Sequence, residues 1–339
     1  MSLAQYALRR ILLIIPLLIG ITFVSFLIAN AIPADPINTN LPPSQLNNEA
    51  IVAAFRAEWG LDKPPIEQYF TYLGNLLQGN LGRSIKTRQP VAEDIAKFLP
   101  ATIELATVAT VFGIFIGVGL GIVSAVWRNR PIDFIARAVA VIGVSVPVFV
   151  LALLFLSVFH AQLGIAAGPG RLTVTLRDPP TVTGLFTVDS LLAGRPDLFL
   201  DAASHLILPG LVLALYIAGL ISRVTRSSML EILSMDYMRT ARSKGVRESI
   251  VVMKHGLRNA MLPIVTVIGL SYGNLLAGAV LTESIFAWPG IGRYMFRAST
   301  SQDFPAIMGV SLLIAFIYVV VNFVVDILYY FLDPRIRLS

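Results

Sequence analysis

Residues 223–258 hold a dense set of charged side chains, and their types suit the binding of a partner better than catalysis. The segment carries eight lysines and arginines against three acids. Ala241 and Gly245 are small and lie four residues apart, so a helix would present both on one face, where another protein could pack closely. Gly245 could also end that helix. On charge alone, the segment equally suits a loop that contacts lipid headgroups.

The sequence lacks the sets of residues that enzymes use. It contains no cysteine, which excludes disulfides, a thiol nucleophile and a cysteine-ligated metal. It also has no GxxxxGK[ST] phosphate-binding loop, no HExxH zinc motif and no GxSxG nucleophile elbow. The three histidines, His160, His205 and His255, fall near the ends of apolar runs or in loops. We therefore expect that the chain is not an enzyme and binds neither a metal nor a cofactor itself.

The composition places these residues in a membrane protein. Apolar residues make up 56% of the chain, charged residues only 14%, and the mean hydropathy is +0.76. A soluble core could not bury so much apolar surface. A bilayer needs ~20 apolar residues per span, and a lone segment in hydrocarbon must be helical. We therefore predict an all-α integral membrane protein with six transmembrane helices, at 11–32, 105–126, 138–160, 205–222, 260–281 and 305–331.

The distribution of lysine and arginine predicts the orientation. If the N-terminus is cytoplasmic, the inside segments carry 15 basic and 5 acidic residues, whereas the longer outside segments carry 11 and 14. Basic residues concentrate on the cytoplasmic side of membrane proteins, so both termini and residues 223–258 are predicted to be cytoplasmic. The net charge of +6 then reflects contact with the bilayer, and we expect no nucleic-acid partner.

The predicted organisation has three parts. Residues 1–32 hold the N-terminus and the first helix, residues 33–104 form a large external segment, and residues 105–339 form the transmembrane core. The core includes an external loop at 161–204 and the cytoplasmic segment 223–258.

The two external segments differ in composition. Residues 33–104 are too many for a structureless connection, and helical spacing predicts two amphipathic helices that start near Glu49 and Ile66. These helices could rest on the membrane or on the spans, or they could form a gate or a docking surface for an external partner. Residues 161–204 are rich in Gly, Pro and Thr, which indicates an irregular loop with room for a short strand at 172–176.

Glycines and prolines occur at specific positions within or beside the predicted spans. Gly113, Gly117 and Gly121 recur every four residues, which makes one face of the second span nearly flat and favours close helix packing. Prolines remove a backbone donor and can kink a helix. Those in or beside the third, fourth and fifth spans are Pro147, Pro209 and Pro263.

Six short motifs, in order along nearly the whole chain, resemble those of one protein family. They are IPADP at 32–36, WGLDKPP at 59–65, GNLGRS at 79–84, ARSKG with RNAMLP at 241–263, LTESIFAWPGIG at 281–292 and DPRIR at 333–337. Together they are similar to ATP-binding-cassette importer permeases of the dipeptide/oligopeptide/nickel permease family. ARSKG and RNAMLP resemble the EAA loop of these permeases. Ala34, Asn80 and Thr240 stand where the family pattern has Gly, Asp and Glu.

The resemblance implies a type I importer permease fold and a set of partners. A second related permease would complete the pathway, two cytoplasmic ATPases would use ATP with magnesium, and an external binding protein would deliver the solute. Residues 223–258 would then be the EAA-like coupling loop. The residues implied to contact an ATPase are Asp236, Arg239, Thr240, Ala241, Arg242, Lys244 and Gly245.

The function implied by the resemblance is that of a transmembrane permease subunit of an ATP-driven importer in a bacterial inner membrane. Di- and oligopeptides are the expected solutes, with nickel, glutathione and sugar or opine conjugates as alternatives. A stand-alone secondary transporter would need ion-coupling acids at mid-membrane, whereas Glu104 and Asp326 lie near the ends of their runs. The sequence assigns no residue to the substrate pathway.

Overall fold

Helices dominate the part of the chain that the computed structural model describes, which comprises residues 12–13, 15–24, 26–27, 37, 41, 43–59 and 62–332. The helices are α1 (Ile15–Val24), α2 (Pro43–Leu46), α3 (Glu49–Trp59), α4 (Pro65–Leu77), α5 (Val91–Val126), α6 (Pro131–Ser145), α7 (Val148–Gln162), α8 (Phe186–Leu192), α9 (Pro196–Leu233), α10 (Asp236–Ser243), α11 (Glu248–Leu276), α12 (Val280–Ile285), α13 (Ile291–Thr300) and α14 (Phe304–Leu332). Among the described residues, the β-structure is limited to one isolated bridge between Arg83 and Pro90.

Four of these helices, α5, α9, α11 and α14, are long and apolar enough to cross a membrane. The pair α6 and α7 passes the same test as one span that bends by 101°. Helix α1 covers part of the first predicted run, and both termini and most of the remainder of that run, except 12–13 and 26–27, lie outside the described residues. The all-α membrane fold is therefore confirmed, and the count of six spans stays a prediction.

Two spans extend beyond the apolar runs from which they were predicted. The predicted boundary at residue 104 falls inside α5, which begins at Val91, and α9 continues to Leu233, well into the segment expected to be a loop. The physical reason is that hydropathy ends a run at its first charge. Glu104 and Arg226 each have an ionic partner, and Arg223, the first charge after the fourth run, is exposed, so the helices continue through all three.

The third span is broken at Pro147. Val146 has an extended backbone (φ −79°, ψ 126°), as expected because proline disfavours the α conformation of the residue before it. The chain then starts α7 in a new direction, 101° from α6. Pro209 and Pro263 lie inside α9 and α11, which remain continuous, so only one of the three prolines ends a helix.

A buried ion pair attaches the loop after α7 to α5 on the predicted outer side. Arg171 donates to the Glu104 carboxylate at 2.6 Å, and both side chains are more than 90% buried. The backbone amide and the hydroxyl of Thr187 also donate to Glu104, at 2.7 and 2.6 Å. The Arg171 guanidinium lies 3.6 Å from the ring centroid of Phe186. Because hydrogen bonds replace the lost water, the pair tolerates its burial.

The LTESIFAWPGIG motif forms a second buried junction on the same side. The Glu283 carboxylate is fully buried and accepts hydrogen bonds from the Thr102 hydroxyl and the Arg293 amide, both at 2.8 Å. The Trp288 indole donates to the carbonyl of Ala101 at 2.8 Å. The motif therefore joins α12 and α13 to the first half of α5.

Helices α3 and α4 occupy the positions where the sequence predicted two amphipathic helices. The Tyr69 hydroxyl donates to the carbonyl of Ile19 at 3.0 Å, which ties α4 to α1. Ile66, Phe70 and Leu77 are exposed on the opposite face of α4. Helix α4 thus contacts α1, and its outward face is apolar.

Residues 172–176 form a turn, which corrects the expectation of a strand. The Asp201 carboxylate accepts hydrogen bonds from the amide and hydroxyl of Thr173, at 2.8 and 2.7 Å. A strand needs a partner, and the described residues provide none beside this turn. The segment 161–204 is also less irregular than expected, because it contains α8 and the first turns of α9. Pro196 is suited to the first position of that helix.

A seam of glycines packs α5 against α9. Gly113, Gly117 and Gly121 are buried and lie on one side of α5. A Cβ atom added at Gly117 would lie 2.8 Å from the Cβ of Ile221 and 2.9 Å from the carbonyl oxygen of Ala218. Only glycine permits this backbone approach, which brings together the two longest helices of the described chain.

We expect Gly117→Ala to destabilise the chain by about 1–3 kcal/mol, because the added methyl group overpacks this seam. Thermal unfolding of the purified chain in detergent, followed by tryptophan fluorescence, measures the change. Gly119→Ala is the matched control, since it lies on the same helix and its added Cβ would meet nothing within 4 Å. An equal change in both variants would contradict the role of the seam.

Candidate functional site

Helix α10 is an exposed helix at the basic end of the bundle. It lies between the end of α9 and the start of α11, and it has eight residues. Met238 is completely buried, whereas the neighbouring Tyr237 and Arg239 are exposed. Asn259 of α11 donates to the Tyr237 hydroxyl at 3.2 Å. Helix α10 is thus anchored by one apolar side chain and leaves most of its surface open.

Gly245 ends the helix. The Val246 amide donates to the carbonyl of Ala241, and the Gly245 amide donates to the carbonyl of Arg242, at 3.3 and 2.9 Å. These two bonds form a Schellman motif, and Gly245 has the left-handed φ of +75° that this motif requires. Gly245 therefore ends the helix, as expected. Because α10 stops before it, Gly245 does not share a helical face with Ala241.

The charged side chains of this site are partly paired with one another. Arg242 donates to the Glu248 carboxylate at 2.9 Å, and these hydrogen bonds raise the pKa of Arg242 above its usual value. Arg239 lies 3.5 Å from Asp236 on an exposed surface, where such a pair contributes little. Lys244 makes no ion pair with any described residue. The surface therefore offers permanent positive charge to a partner.

The structure places the predicted contact residues in one exposed patch. The members whose side chains or backbone are exposed are Asp236, Arg239, Thr240, Arg242, Lys244 and Gly245, and Ala241 is half-buried. Their arrangement supports the docking of another protein, and it brings together no nucleophile with a base.

A buried carboxylate supports the end of α9 from which α10 follows. Asp133, at the start of α6, has no exposed side-chain surface and accepts hydrogen bonds from Ser124 and from the Asn129 amide. Arg226 of α9 donates to both of its oxygens at 3.1 Å. Arg137 approaches the same carboxylate at 3.2 Å. This Asp133 cluster joins α5, α6 and α9.

Sequence reasoning missed three residues on which this site depends. Met238 anchors α10, Glu248 pairs with Arg242, and Asp133 holds Arg226. An apolar residue in the middle of a polar helix was a usable signal for Met238. Asp133 is the one acid among the arginines of residues 127–137, and nothing in its neighbourhood along the chain indicated burial.

Two family models match the chain over most of its length. The family described as "Binding-protein-dependent transport system inner membrane component" matches residues 117–338. The family described as "Binding-prot-dependent transport system membrane comp, N-term" matches residues 3–106. The first match includes α10 and the Asp133 cluster.

Two relatives cover almost the same length. The chain is 46% identical to the probable D,D-dipeptide transport system permease protein DdpB of Escherichia coli (strain K12), over 94% of this chain and 93% of the relative. It is 45% identical to the dipeptide transport system permease protein DppB of Alkalihalophilus pseudofirmus, over 98% and 99%.

A solved structure has a similar fold. A chain of the inward-facing MetNI methionine ABC transporter matches with a TM-score of 0.52 and 16% identity, over 70% of this chain and 96% of that chain. At this identity the likeness concerns the fold alone, and it confirms the expected type I importer permease fold. The family matches also confirm that the chain is a membrane protein and a component of a transport system. The chain belongs to the family of binding-protein-dependent transport system inner membrane components.

Proposed function

We propose that this chain is the transmembrane permease subunit of an ATP-driven importer and forms part of the translocation pathway for di- and oligopeptides. The observation that carries the proposal is α10, a basic helix that is exposed on most of its surface and anchored where two spans end. Membership of a family of binding-protein-dependent transport components supports an external binding protein as partner. Peptides are favoured because two relatives that match nearly the whole chain are named for dipeptide transport.

Helix α10 is the proposed contact with an ATPase. Each of two cytoplasmic ATPases receives such a helix in a surface cleft, and ATP binding with magnesium draws the two ATPases together. Helix α10 then moves with its ATPase. Because the hydrogen bond from Asn259 to Tyr237 ties α10 to α11 and a two-residue turn joins α10 to α9, both spans receive the movement. ATP is used by these partners, in keeping with the absence of a phosphate-binding loop from the sequence.

The Asp133 cluster extends this movement to a third span. Arg226 lies about two turns before the end of α9 and is held by both oxygens of Asp133. A charged pair with a fully buried partner is costly to separate. We therefore propose that α6 follows α9 when α10 moves, so that the pathway opens alternately to each side. A second, related permease subunit supplies the other half of that pathway.

Import of a labelled dipeptide tests the function. Proteoliposomes that contain this chain, a second permease, the ATPases and the binding protein should accumulate dialanine only when ATP is supplied. Accumulation of nickel or glutathione in place of peptides would assign another solute. Uptake by the purified chain without ATPases would replace the proposal with a stand-alone secondary transporter.

We expect Gly245→Arg to uncouple the importer while the chain stays in the membrane. An arginine side chain at the contact should weaken the free energy of docking between α10 and the ATPase by at least about 1.4 kcal/mol. Uptake and substrate-stimulated ATP hydrolysis should therefore fall together by about tenfold or more. Both are measured in the reconstituted assembly. Ala241→Asp should have the same effect through a buried charge.

Gly194→Arg is the matched control for this variant. Gly194 also has a left-handed backbone, with φ +64°, and an added Cβ there would likewise meet nothing within 4 Å. It lies on the predicted outer side, so it reproduces the backbone strain without reaching the ATPases. Normal coupling in Gly245→Arg, or equal loss of coupling in Gly194→Arg, would refute the docking role of α10.

We expect Asp133→Asn to lower the stability of the chain by about 1–3 kcal/mol, because the buried carboxylate loses its charge and with it the charge-assisted hydrogen bonds from the half-buried Arg226. Asp197→Asn provides a control, since Asp197 forms an exposed pair with Arg195 that contributes little to stability. Chemical denaturation in detergent compares the two variants. Similar losses in both would show that the Asp133 cluster does not hold the spans together.

A further inference from the structure

A cavity of about 480 Å³ opens on the predicted outer side, between the loop before α5 and α13. Three cations, Lys86, Arg293 and Arg297, line it. Lys86 and Arg297 are exposed, and Arg293 is half-buried. None of the three forms an ion pair with a residue in the described ranges.

The carboxylates near this cavity are already engaged. Asp303 is fully buried and accepts hydrogen bonds from the Ser84 hydroxyl at 2.6 Å and the Lys86 amide at 3.1 Å. Glu283 accepts the Arg293 amide at 2.8 Å, and its own burial is complete. Burial and then the charge of Arg297 lower the pKa of Arg293, and Glu283 offsets only part of that effect. The side chains of the three cations therefore have no ion-pair partner among the described residues, although the buried Asp303 also lines the cavity.

The floor of the cavity is aromatic. Phe98 and Tyr294 stack with their ring centroids 5.0 Å apart and their planes at 25°. The Tyr294 hydroxyl donates to Asp94 at 2.9 Å, so its polar atom is occupied and the ring supplies apolar surface. A ligand here would meet cations on one side and aromatic carbon on the other.

We infer that this cavity binds the C-terminal residue of a short peptide, with the carboxylate on the arginines and lysine and the side chain on the aromatic floor. Arginine and lysine recognise carboxylates through charge-assisted hydrogen bonds. The aromatic floor favours an anion that carries an apolar group over a bare inorganic anion. The inference rests on the proposed import of peptides and deepens it, because it names the part of the solute that the permease itself recognises.

Binding of a peptide and of its amide tests the inference. The full-length chain in lipid nanodiscs is titrated calorimetrically with L-alanyl-L-alanine and with the same dipeptide as its C-terminal amide. The free acid should bind, and the amide should bind about tenfold or more weakly, because the charged hydrogen bonds are lost. Inorganic phosphate should not displace the dipeptide. Equal binding of acid and amide, no binding of the acid, or displacement by phosphate would each overturn the inference.

Variants locate the binding in this cavity. Arg297→Gln should weaken the binding of dialanine about tenfold. Because Arg297 is exposed, the variant should keep its melting temperature, which shows that the weaker binding does not come from misfolding. Phe98→Ala should weaken the binding of the free acid and should not strengthen the binding of the amide. Lys97→Gln is the matched control, because Lys97 is an exposed cation beside Phe98 that does not line the cavity. Equal effects of Arg297→Gln and Lys97→Gln would refute the assignment.

The same variants separate this inference from the proposed function. If the wild-type assembly imports dialanine and Arg297→Gln binds and imports it equally well, the cavity is not the site and the peptide importer stands. If the wild-type assembly imports no peptide although its chain binds dialanine through Arg297, the proposed function fails while the site remains.

Discussion

A charged side chain at the edge of a bilayer is stable when an opposite charge and hydrogen bonds replace the water that it loses, and both ends of this bundle depend on that requirement. On the predicted outer side, Glu104 of α5 pairs with Arg171 of the loop after α7. On the predicted cytoplasmic side, Asp133 of α6 pairs with Arg226 of α9. These pairs let α5 and α9 extend past the apolar core as continuous helices. Helix α10 follows the extended end of α9, and the extended start of α5 contributes Phe98 to the outer cavity.

Local patterns predicted the apolar spans because hydrocarbon thickness sets their length, and they predicted the glycine seam because its four-residue spacing is visible in the sequence. They failed where a partner is distant. Glu104 and its partner Arg171 are 67 residues apart, so the sequence around Glu104 gave no reason to continue the helix. A strand at 172–176 needed a pairing strand, which the described part of the chain does not supply. Pro147 and Pro209 look alike locally, yet only the first ends a helix.

The proposed docking surface on α10 also combines features that local sequence predicts with features that depend on distant residues. Its exposed residues were predicted from charge and from the resemblance, and their exposure follows from the polarity of the sequence around Gly245. The anchor Met238 was not predicted, because burial of one residue in an eight-residue helix depends on where α11 lies. The outer cavity was also missed, since Lys86 and Arg297 are brought together only by the fold.

The break at Pro147 has a mechanical consequence for the third span. An unbroken helix carries torque along its length, because its hydrogen-bond ladder locks each turn to the next. Here the ladder stops at Val146, and a two-residue joint connects α6 to α7. Helix α6 is fastened to α9 through Arg226, and α7 packs against both α9 and α12. The angle between the two halves of this span is therefore set by what each half packs against, since no helical hydrogen bond crosses the joint.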